Sequence, residues 1–398
     1  MNKMKKKYLC IFFRCIPIRK NTVLFCSFNG QYNDNPKYIS DKLHEMYPTI
    51  KVVWCKSSKS NEDFPKYAEI VEEDSVAFYK YVNSAQVIVD NQMGIRAVRV
   101  SKKFRIKKLL KILYSKKRKK QYNISTWHGT PLKNIGMDEL SCQGKEEIFI
   151  TNSDYIVAGC QHTKNALLTA SRDVLSVKMY GTPRNDLLIE HNVNIEELKK
   201  KFNIPLNSKV VLYAPTFRND INNSGVNQMH ELQFDKILEQ LNLKFSSEWC
   251  FVFRIHQAVL DKIDIGKIVN KYKKYKIVNG NLGDDMAEYL LCADVLITDY
   301  SGSMFDFALT KKPCFLYAPD RKHYEEQERG FYMDYEKLPF SYAYTSNELI
   351  EKIRKFDEVL YKQNVEKFLH DIGNIEDGHA TERIVDDIRY FMETGVKR

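Results

Sequence analysis

The sequence predicts an α/β fold with two Rossmann-like halves, because short apolar strands alternate with helical patterns from end to end. This alternation is typical of parallel sheets built from βαβ units. A chain of 398 residues is also longer than one small core usually serves, which favours two domains. A charged helical stretch that ends at Asn203–Asn207 predicts domains at 1–200 and 201–372. We expect the remainder, 373–398, to form a C-terminal helix that can pack back on the first domain.

Runs rich in β-branched and aromatic residues mark the expected strands. The first half contains Thr22–Phe28, Val52–Cys55, Gln86–Asp90, Asn123–His128 and Tyr155–Ala158. The second half contains Lys209–Thr216, Trp249–His256, Tyr275–Val278, Asp294–Asp299 and Cys314–Tyr317. Helical patterns lie between them, for example Pro36–Tyr47, Asp284–Cys292, Ser303–Thr310 and Asn347–Phe356. Ligands of open α/β sheets bind beyond the carboxyl ends of the strands, so we expect two such domains to face each other across one ligand-binding cleft.

The cysteines and the N-terminus indicate a reduced compartment and no membrane span. The nine cysteines show neither a C-x-x-C pair nor framework spacing, which is typical of packing residues in a cytoplasmic protein. The apolar run Tyr8–Phe13 follows a basic start, but Arg14 interrupts it. It falls short of the roughly 18 apolar residues that a spanning helix needs. We therefore expect neither a transmembrane helix nor a cleaved signal peptide.

Positive charge is concentrated in one segment. Between Asn91 and Met137 there are fourteen Lys or Arg and no Asp or Glu, which exceeds the net charge of +11, so the remainder of the chain is net negative. Within this segment, Lys102–Tyr114 has apolar residues at helical spacing, and the run Lys116–Lys120 follows. A basic amphipathic helix suits an anionic membrane surface, where each basic residue contributes about 1 kcal/mol. The expected membrane contacts are Lys107, Lys108, Lys111, Lys116, Lys117, Arg118, Lys119 and Lys120.

The basic segment has two other interpretations. A surface helix packed on its own domain, followed by a solvated charged loop, would show the same pattern. Nucleic-acid binding is not expected, because no helix-turn-helix, zinc or RNA-binding signature accompanies the charge.

A histidine follows the fourth predicted strand, within the segment STWHGTPLK at Ser125–Lys133. The glycine after His128 leaves the imidazole and the nearby backbone accessible. Histidine titrates near neutral pH, so it can act as the general base that removes a hydroxyl proton. The alternative is a histidine that makes a structural hydrogen bond beside a tight turn.

Two arginine-bearing segments follow strands of the second half. The segment YAPTFR places Thr216 and Arg218 where a nucleotide phosphate can be reached, and arginine presents a fork matched to phosphate oxygens. The segment FVFRIH places Arg254 and His256 on one strand face, because side chains two apart point the same way. This pair suits a diphosphate and would be costly to bury in a core strand. An ion-paired arginine and an ordinary core strand are the alternatives.

A serine-rich turn between a strand and a helix is the strongest single signal in the second half. Helix N-termini offer unpaired N–H groups and a dipole that favours anions, and serine hydroxyls add donors. A glycine in the turn permits close backbone approach, and an aspartate one turn into the helix can meet ribose hydroxyls. The alternative is simple capping of a structural helix. The candidate donor-binding residues here are Thr298, Asp299, Ser301, Gly302, Ser303 and Asp306.

No metal site is predicted. The histidines lack H-E-x-x-H spacing, the cysteines lack zinc spacing, and Asp284 and Asp285 begin a helix rather than end a strand. Charge on a bound diphosphate would be neutralised by Arg, Lys, His and helix dipoles.

Taken together, the ordered motifs resemble the CDP-glycerol glycerophosphotransferase family, which includes primases and polymerases of teichoic acid synthesis. The motifs are WHGTPLK at Trp127–Lys133, GTPRND at Gly181–Asp186, YAPTFR at Tyr213–Arg218, R-x-H at Arg254–His256 and LITDYSGSMFDFAL at Leu296–Leu309. Phe25–Gly30, Asn35–Tyr38 and Glu376–Ala380 also look like that family. The resemblance covers about residues 20–390.

The resemblance implies a GT-B-like fold, with the nucleotide in the C-terminal half and the acceptor approaching from the N-terminal half. It implies His128, as the base, and His256 as the catalytic residues. Other implied donor contacts are Arg254, Thr298, Ser301 and Ser303, and the implied acceptor-side residues are Trp127, Gly129, Thr130, Asp138 and Arg184. The implied reaction moves glycerol phosphate, or a related polyol phosphate, from CDP-glycerol or a CDP-polyol to an undecaprenyl-diphosphate-linked saccharide. CMP leaves, no cofactor takes part, and the enzyme is cytoplasmic and peripheral on the inner face of the cell membrane.

Two other functions stay open. A GT-B glycosyltransferase would share the fold and use a UDP-sugar, which a donor screen separates by the nucleotide released. A non-catalytic basic membrane adaptor would need Lys116–Lys120 while His128 and His256 would be dispensable.

Overall fold

The computed structural model describes residues 8, 11–58, 60, 63–95, 97–101, 111–113, 115–142, 147–171, 176–190, 193–216, 231–254, 275–281, 285–328 and 330–398. The chain divides into two compact units. Unit 1 comprises Met1–Thr130, Ile135–Asp186 and Ile375–Arg398, and unit 2 comprises Pro131–Asn134 and Leu187–Asn374.

The described part of the chain contains the following regular elements. The strands are β1 (Arg19–Cys26), β2 (Lys51–Lys56), β3 (Glu69–Glu72), β4 (Ala85–Asp90), β5 (Val98–Ser101), β6 (Tyr122–Ser125), β7 (Glu147–Ile150), β8 (Tyr155–Ala158), β9 (Val177–Met179), β10 (Lys209–Tyr213), β11 (Trp249–Phe253), β12 (Lys276–Asn279), β13 (Val295–Thr298), β14 (Cys314–Tyr317) and β15 (Ser341–Ala343). The α-helices are α1 (Asp34–Met46), α2 (Val76–Ser84), α3 (Gln161–Ser171), α4 (Pro183–Ile189), α5 (Ile195–Lys201), α6 (Phe234–Phe245), α7 (Met286–Cys292), α8 (Ser303–Ala308), α9 (Arg321–His323), α10 (Ser346–Arg354), α11 (Glu358–Asp371) and α12 (Ala380–Thr394). Short 3₁₀ turns occur at Phe13–Cys15, Phe28–Gly30, Gly136–Asp138, Leu140–Cys142 and Tyr335–Lys337, and a π-helical turn at Tyr324–Glu328.

Unit 1 is built on a parallel sheet in the strand order β3-β2-β1-β4-β6-β8-β9. Strands β5 and β7 form a separate antiparallel pair. Along β1, Val23 and Phe25 face one apolar core, whereas Leu24 and Cys26 face another. Helices α1 and α12 contribute side chains to the first core, and α2 contributes to the second. Because both faces of the sheet are covered, its central strands are continuous apolar runs rather than alternating ones.

Unit 2 is built on a second parallel sheet, in the order β12-β11-β10-β13-β14-β15. The chain joins this unit at Leu187, upstream of the boundary expected after residue 200. The physical reason is that Leu188 of α4 is buried in the unit 2 core together with Phe202 and Ile204, and Leu187 and Leu198 pack against this core. The Phe202 ring stacks on Tyr289 of α7 at a centroid distance of 4.0 Å.

The α/β class with two parallel sheets is confirmed, but several strands end earlier than predicted. Strand β6 ends at Ser125 rather than at His128, because Trp127 (φ 54°) and Gly129 (φ 104°) turn the backbone. Strand β11 ends at Phe253. Arg254 therefore lies just after its strand rather than within it. His256, its expected partner on one strand face, lies outside the described residues.

Two further expectations concern the membrane and the thiols. No helix within the described ranges is long and apolar enough to cross a bilayer. The described cysteines are free thiols, and all except Cys15 are buried. Cys10 lies outside the described residues.

Candidate active site

The carboxyl ends of β1, β4 and β6 place polar residues at one edge of the unit 1 sheet. Parallel pairing aligns Cys26 with Asp90 and Asp90 with Ser125, so the residues that follow these three positions are neighbours. They include Ser27, Asn91 and His128, and the Asn91 side-chain amide donates to Ser27 Oγ at 3.1 Å. The doubly wound fold predicts ligands at this edge.

His128 presents an exposed imidazole at this edge. Its Nδ1 lies 3.0 Å from the main-chain oxygen of Asn91. A carbonyl oxygen can only accept, so Nδ1 carries the proton and Nε2 is the basic nitrogen. The ring also packs on the buried Trp127 indole, with 3.9 Å between the centroids. The imidazole is thus oriented on one side by a hydrogen bond and on the other by an aromatic face.

The backbone around His128 is held in an uncommon conformation. Trp127 has a φ of 54°, which is rare for a bulky side chain. Three bonds support the turn: Thr126 N donates to Asp90 O (2.7 Å), Asn35 Nδ2 to Trp127 O (2.9 Å) and Arg184 Nη2 to His128 O (2.8 Å). Strained backbone that is so thoroughly bonded is typical of functional sites.

Arg184 joins this edge from the start of α4. Its Nη1 donates to Asp34 Oδ1 at 2.7 Å, and its main-chain N–H donates to Asn35 Oδ1 at 3.0 Å. The second Asp34 oxygen accepts from Asn91 Nδ2 at 2.6 Å. Arg184, Trp127 and His128 were predicted from the sequence as site residues, whereas Asp34 and Asn91 were not. Asp34 and Asn91 were detectable, since one begins a helix after β1 and the other follows β4.

Asp90 is a buried residue whose main-chain oxygen accepts from Thr126 N–H at the start of the His128 loop. Its Oδ1 accepts the backbone N–H of Gln92 (2.8 Å) and of Gly94 (3.2 Å), which shapes the turn after β4. Burial raises the pKa of this carboxyl from 3.8 to about 7, because desolvation outweighs the backbone N–H groups that lower it. Asp90 therefore changes charge near neutral pH.

Thr130 and Asp138 are bonded to different parts of helix α3. Thr130 Oγ1 accepts from Thr163 Oγ1 at 3.3 Å, in the first turn of α3. Asp138 Oδ2 accepts from Thr169 Oγ1 at 2.6 Å. Thr169 is eight residues along α3 from its first residue, or about 12 Å at 1.5 Å per residue. This bond ties the Gly136–Asp138 turn to α3, and the acceptor role of Asp138 stays a prediction.

The motif GTPRND (Gly181–Asp186) is hydrogen-bonded to the motif EDGHA (Glu376–Ala380) within unit 1. Glu376 accepts Thr182 N–H at 2.8 Å and Asn185 Nδ2 at 3.1 Å. The Asp186 carboxylate accepts the N–H groups of Ala380 (3.0 Å) and Thr381 (2.8 Å), and so caps α12. A Cβ at Gly159 would lie 2.0 Å from Glu376 Oε1, which explains the glycine at the end of β8. Apart from Arg184, this pair of motifs anchors the C-terminal helix.

In unit 2, buried polar residues join the ends of β10 and β13. Asp299 Oδ1 accepts Thr216 N–H at 2.8 Å, Thr216 Oγ1 at 2.6 Å and Tyr300 N–H at 2.5 Å. Thr298 Oγ1 donates to Ala214 O at 2.6 Å. Thr298 and Asp299 are 0% and 1% exposed. These three predicted donor residues therefore come together, with Thr298 and Asp299 bonded inside the protein.

The turn after Asp299 carries the predicted serines. Gly302 is the N-cap of α8 and supplies no side-chain bond, so the serines do not occupy the capping position that we expected. Instead, Ser301 Oγ accepts Ser303 N–H at 3.3 Å and lies 2.9 Å from Ser303 Oγ.

Ser301 and Gly302 are half-buried, whereas Asp306 is only 3% exposed. The partly accessible groups of this turn are therefore Ser301 and Gly302.

Arg254 stands at the carboxyl end of β11 with its guanidinium partly engaged. Nη1 donates to Gly280 O at 2.7 Å, and the guanidinium carbon lies 4.6 Å from the centroid of the Tyr289 ring. The planar group is thus held in one orientation at the strand end. His256 and Arg218, the other predicted cationic donor contacts, lie outside the described residues.

The basic segment is only partly described. Lys116, Lys117, Lys119 and Lys120 are exposed, Lys111 is half-buried, and Lys107 and Lys108 lie outside the described residues. Lys117 is 3.5 Å from Asp154. Arg118 donates to the main-chain oxygens of Ile16 (2.9 Å) and Asn83. The Arg118 guanidinium thus links two loops of unit 1, and its membrane contact stays a prediction.

No group of three or more His, Cys, Asp or Glu side chains suited to a metal ion occurs among the described residues.

Comparison with known proteins identifies the family. The sequence model of "CDP-Glycerol:Poly(glycerophosphate) glycerophosphotransferase" matches residues 8–390. The teichoic acid glycerol-phosphate transferase of Staphylococcus aureus is 30% identical over 394 residues, which cover 93% of each chain. The teichoic acid poly(glycerol phosphate) polymerase of Bacillus subtilis is 30% identical over 403 residues, which cover 96% of this chain and 51% of the polymerase. The present chain thus spans about half the length of that polymerase and of its Staphylococcus epidermidis counterpart.

The solved structures agree with the sequence comparisons. The wall teichoic acid polymerase TagF superposes with a TM-score of 0.77 at 26% identity, over 99% of this chain and 95% of that one. This likeness confirms the GT-B-like fold class expected from the sequence. With the family match over nearly the whole chain, these findings show that the protein belongs to the CDP-glycerol:poly(glycerophosphate) glycerophosphotransferase family.

Proposed function

We propose that this protein transfers glycerol phosphate, or a related polyol phosphate, from CDP-glycerol to a hydroxyl of a lipid-linked glycopolymer acceptor and releases CMP. Its family and the printed names of its relatives, which are glycerol-phosphate transferases and polymerases of teichoic acid, support this reaction. The observation that carries the proposal is the exposed His128 imidazole, protonated at Nδ1 by its bond to Asn91 and therefore basic at Nε2.

The proposed chemistry is an in-line phosphoryl transfer. The acceptor hydroxyl loses its proton to His128 Nε2, and its oxygen forms a bond to the phosphorus that carries the glycerol. The bond from that phosphorus to the CMP oxygen breaks, and CMP leaves with the electron pair. Positioned general bases contribute about 10²- to 10⁴-fold to such reactions. The remaining acceleration would come from positioning and electrostatic stabilisation of the departing phosphate.

The donor is proposed to bind at the carboxyl edge of the unit 2 sheet. Arg254 at the end of β11 supplies positive charge, and the Ser301–Ser303 turn supplies hydroxyl and backbone donors. A histidine-to-asparagine variant of TagF was solved after soaking with CDPG, at 25% identity to this chain. His256, Arg218, Thr216 and Asp306 complete the proposed donor set. Thr298 and Asp299 would act indirectly, by shaping the loops.

The acceptor and the location are proposed from the same family link. The acceptor is an undecaprenyl-diphosphate-linked saccharide of teichoic acid or a related polymer, received near Trp127, Gly129, Thr130 and Arg184. We place the protein at the cytoplasmic membrane surface, where the exposed Lys116, Lys119 and Lys120 would meet anionic headgroups. No cofactor is required.

A donor screen tests the proposal. The full chain is incubated with a lipid-diphosphate disaccharide and, separately, CDP-glycerol, CDP-ribitol or a UDP-sugar. Released nucleotide is quantified, and the lipid product is weighed by mass spectrometry. We expect CMP and a product heavier by one polyol phosphate unit. Release of UDP with sugar transfer would identify a glycosyltransferase instead.

Two variants locate the base. His128→Ala should lower turnover of CDP-glycerol by about 10²- to 10⁴-fold. The matched control is His370→Ala, since His370 is an exposed histidine of α11 whose ring lies 3.5 Å from Asp371. Near-normal turnover by His128→Ala would remove the base assignment. If substitutions in Lys116–Lys120 abolish function while those of His128 and His256 do not, the adaptor function is favoured.

A further inference from the structure

Asp34 is bonded to both groups that hold His128 from the side. One carboxylate oxygen, Oδ1, accepts from Arg184 Nη1 at 2.7 Å, and the other, Oδ2, accepts from Asn91 Nδ2 at 2.6 Å. Neither bond reaches the imidazole directly. Asp34 thus lies one residue away from His128 along each of two routes.

The first route runs through Arg184 to the backbone. Arg184 Nη2 donates to His128 O at 2.8 Å while Nη1 is held by Asp34. Only 13% of the Arg184 side chain and 16% of the Asp34 side chain are exposed. A guanidinium presents its N–H groups in a rigid fork, so fixing one nitrogen fixes the direction of the other. The carboxylate therefore sets the position of the His128 carbonyl.

The second route runs through Asn91 to the imidazole. The Asn91 side chain, bound by Asp34 and Ser27 Oγ, anchors the residue whose main-chain oxygen accepts from His128 Nδ1. Asn91 is 2% exposed, so the acceptor is fixed within the protein. The tautomer of a histidine is set by the bond that its other nitrogen makes. Displacement of Asn91 would therefore release the proton from Nδ1.

The backbone at Asp34 is consistent with this role. Asp34 has a φ of 57°, in the left-handed region, although it is the first residue of α1. Non-glycine residues in this region are uncommon, and aspartate is among those that tolerate it. The conformation aims the carboxylate at Arg184 and Asn91. Strain of this kind persists where the surroundings over-determine it, often at functional sites.

We propose that Asp34 is a positioning residue for the transfer reaction, which keeps His128 in the tautomer that is basic at Nε2 and fixes where that nitrogen points. This inference rests on the proposed function of His128 as the base. Asp34 binds neither substrate nor the reacting atoms. Its carboxylate acts through Asn91 and Arg184 together.

The Asp34→Asn variant changes this geometry with almost no change in shape. An asparagine that keeps its oxygen on Arg184 presents its NH₂ group to the NH₂ group of Asn91. Two donors then face each other where a donor and an acceptor faced before. We expect Asn91 to shift and the bond from His128 Nδ1 to be lost.

The direct readout is the tautomer of His128. The full chain is labelled with ¹⁵N-histidine, and the His128 signals are assigned by their absence in His128→Asn. In the wild type, at a pH where the ring is neutral, we expect the Nδ1–H form. In Asp34→Asn we expect the Nε2–H form, which an unconstrained imidazole prefers. An unchanged Nδ1–H form in a folded Asp34→Asn protein would overturn the inference.

The kinetic readout is the split between kcat and KM. We expect Asp34→Asn to lower kcat for CDP-glycerol turnover by about 10- to 100-fold, which is less than the about 10²- to 10⁴-fold of a whole general base, with KM changed less than about 3-fold. The matched control is Asp387→Asn. It removes a similarly buried ion pair of unit 1, between Asp387 and Lys178, that does not touch the His128 loop. The control should lose stability while keeping the wild-type tautomer and kcat.

The two readouts separate this inference from the proposed function. The tautomer is measured without substrate, so it still decides the geometry if no transfer from CDP-glycerol is detected. A changed tautomer with unchanged kcat would overturn the positioning role and the assignment of His128 as base together. If Asp34→Asn does not fold, Asn91→Ala serves instead, because it keeps the main-chain acceptor and removes its anchor to Asp34. It should give the same change of tautomer.

Discussion

In unit 1 the polar residues that follow the strands are bonded around an exposed imidazole, whereas in unit 2 the corresponding residues are buried and bonded to one another. At the first edge, Arg184 and Asn91 direct their bonds towards His128. At the second, Asp299 and Thr298 close the loops that follow β10 and β13. Both edges are polar in sequence and both lie at the carboxyl ends of parallel strands.

The comparison shows that a polar residue at a strand end has two possible uses. One orients a side chain that remains accessible, as at His128. A residue of the second kind, such as Asp299, holds the backbone in place. The accessible groups are then the residues beside it, such as Ser301 and Gly302. Substitutions around His128 should therefore lower activity, whereas substitutions of the buried Thr298 and Asp299 should mainly lower stability.

The largest expected effect on stability is that of Asp299→Ala. It removes the acceptor for Thr216 N–H, Thr216 Oγ1 and Tyr300 N–H, all inside unit 2. A buried donor left without a partner costs about 1–3 kcal/mol. Tyr300 N–H is buried and the two Thr216 donors are half-buried, so we expect a loss of about 3 kcal/mol. Urea unfolding, followed by the fluorescence of Trp249 in β11, measures it. A loss below about 1 kcal/mol, with turnover abolished in a folded protein, would contradict the backbone role of Asp299.

The next effect concerns Asp90 and pH. A carboxyl with a higher pKa in the folded than in the unfolded chain adds stability at low pH, and this contribution is lost as pH rises through the interval from 3.8 to about 7. Asp90→Asn cannot ionise, so its stability relative to the wild type should increase by on the order of 2 kcal/mol between pH 5 and pH 8. Urea unfolding of both proteins across that range provides the test.

The matched control for Asp90 is Asp357→Asn. Asp357 is exposed and caps α11 by accepting from Leu360 N–H. Its difference from the wild type should not grow between pH 5 and pH 8. A parallel pH dependence for wild type and Asp90→Asn would show that Asp90 is ionised throughout that range.

A smaller effect is expected for Ser301→Ala in the accessible turn of unit 2. The variant loses a partly exposed hydroxyl that is bonded to Ser303. If the donor phosphate binds there, KM for CDP-glycerol should rise about 10-fold, which corresponds to about 1.4 kcal/mol. The control Ser75→Ala removes the N-cap of α2 in unit 1 and should lower stability without changing KM. Equal KM values in all three proteins would place the donor elsewhere.

The smallest effect is that of Thr298→Val, which is nearly isosteric. It removes one buried bond, from Thr298 Oγ1 to Ala214 O, and one hydrogen bond contributes about 1 kcal/mol. Thermal unfolding should show this loss, with KM for CDP-glycerol raised less than about 2-fold. A KM increase as large as that of Ser301→Ala would indicate that Thr298 contacts the donor directly.

Much of the fold was predictable from local patterns. The runs Tyr155–Ala158 and Cys314–Tyr317 match β8 and β14 in both bounds, because each is a short, fully buried apolar strand. Strand β9 (Val177–Met179) was not predicted, since three residues carry too little periodicity. The end of β6 was misplaced because a positive φ at Trp127 has no signature in residue type.

The candidate site divides in the same way. His128, Arg184 and the Ser301–Ser303 turn could be proposed from residue chemistry and strand position. Asp34 was missed because its two partners, Asn91 and Arg184, are 57 and 150 residues away. The internal bonds of Asp138 and Arg118 could not be predicted either, since residue type does not tell whether a carboxylate or guanidinium is bonded inside the protein.

Residue patterns alone therefore predict the α/β class, the two parallel sheets and the edge where polar groups collect, because apolar periodicity and strand polarity are local properties. Burial and partners distant in sequence decide three further properties. They decide which nitrogen of His128 is basic, whether Asp299 contacts a ligand or a loop, and which carboxyl has a pKa near 7. Desolvation and hydrogen bonding act through space, so those answers follow only from the folded arrangement.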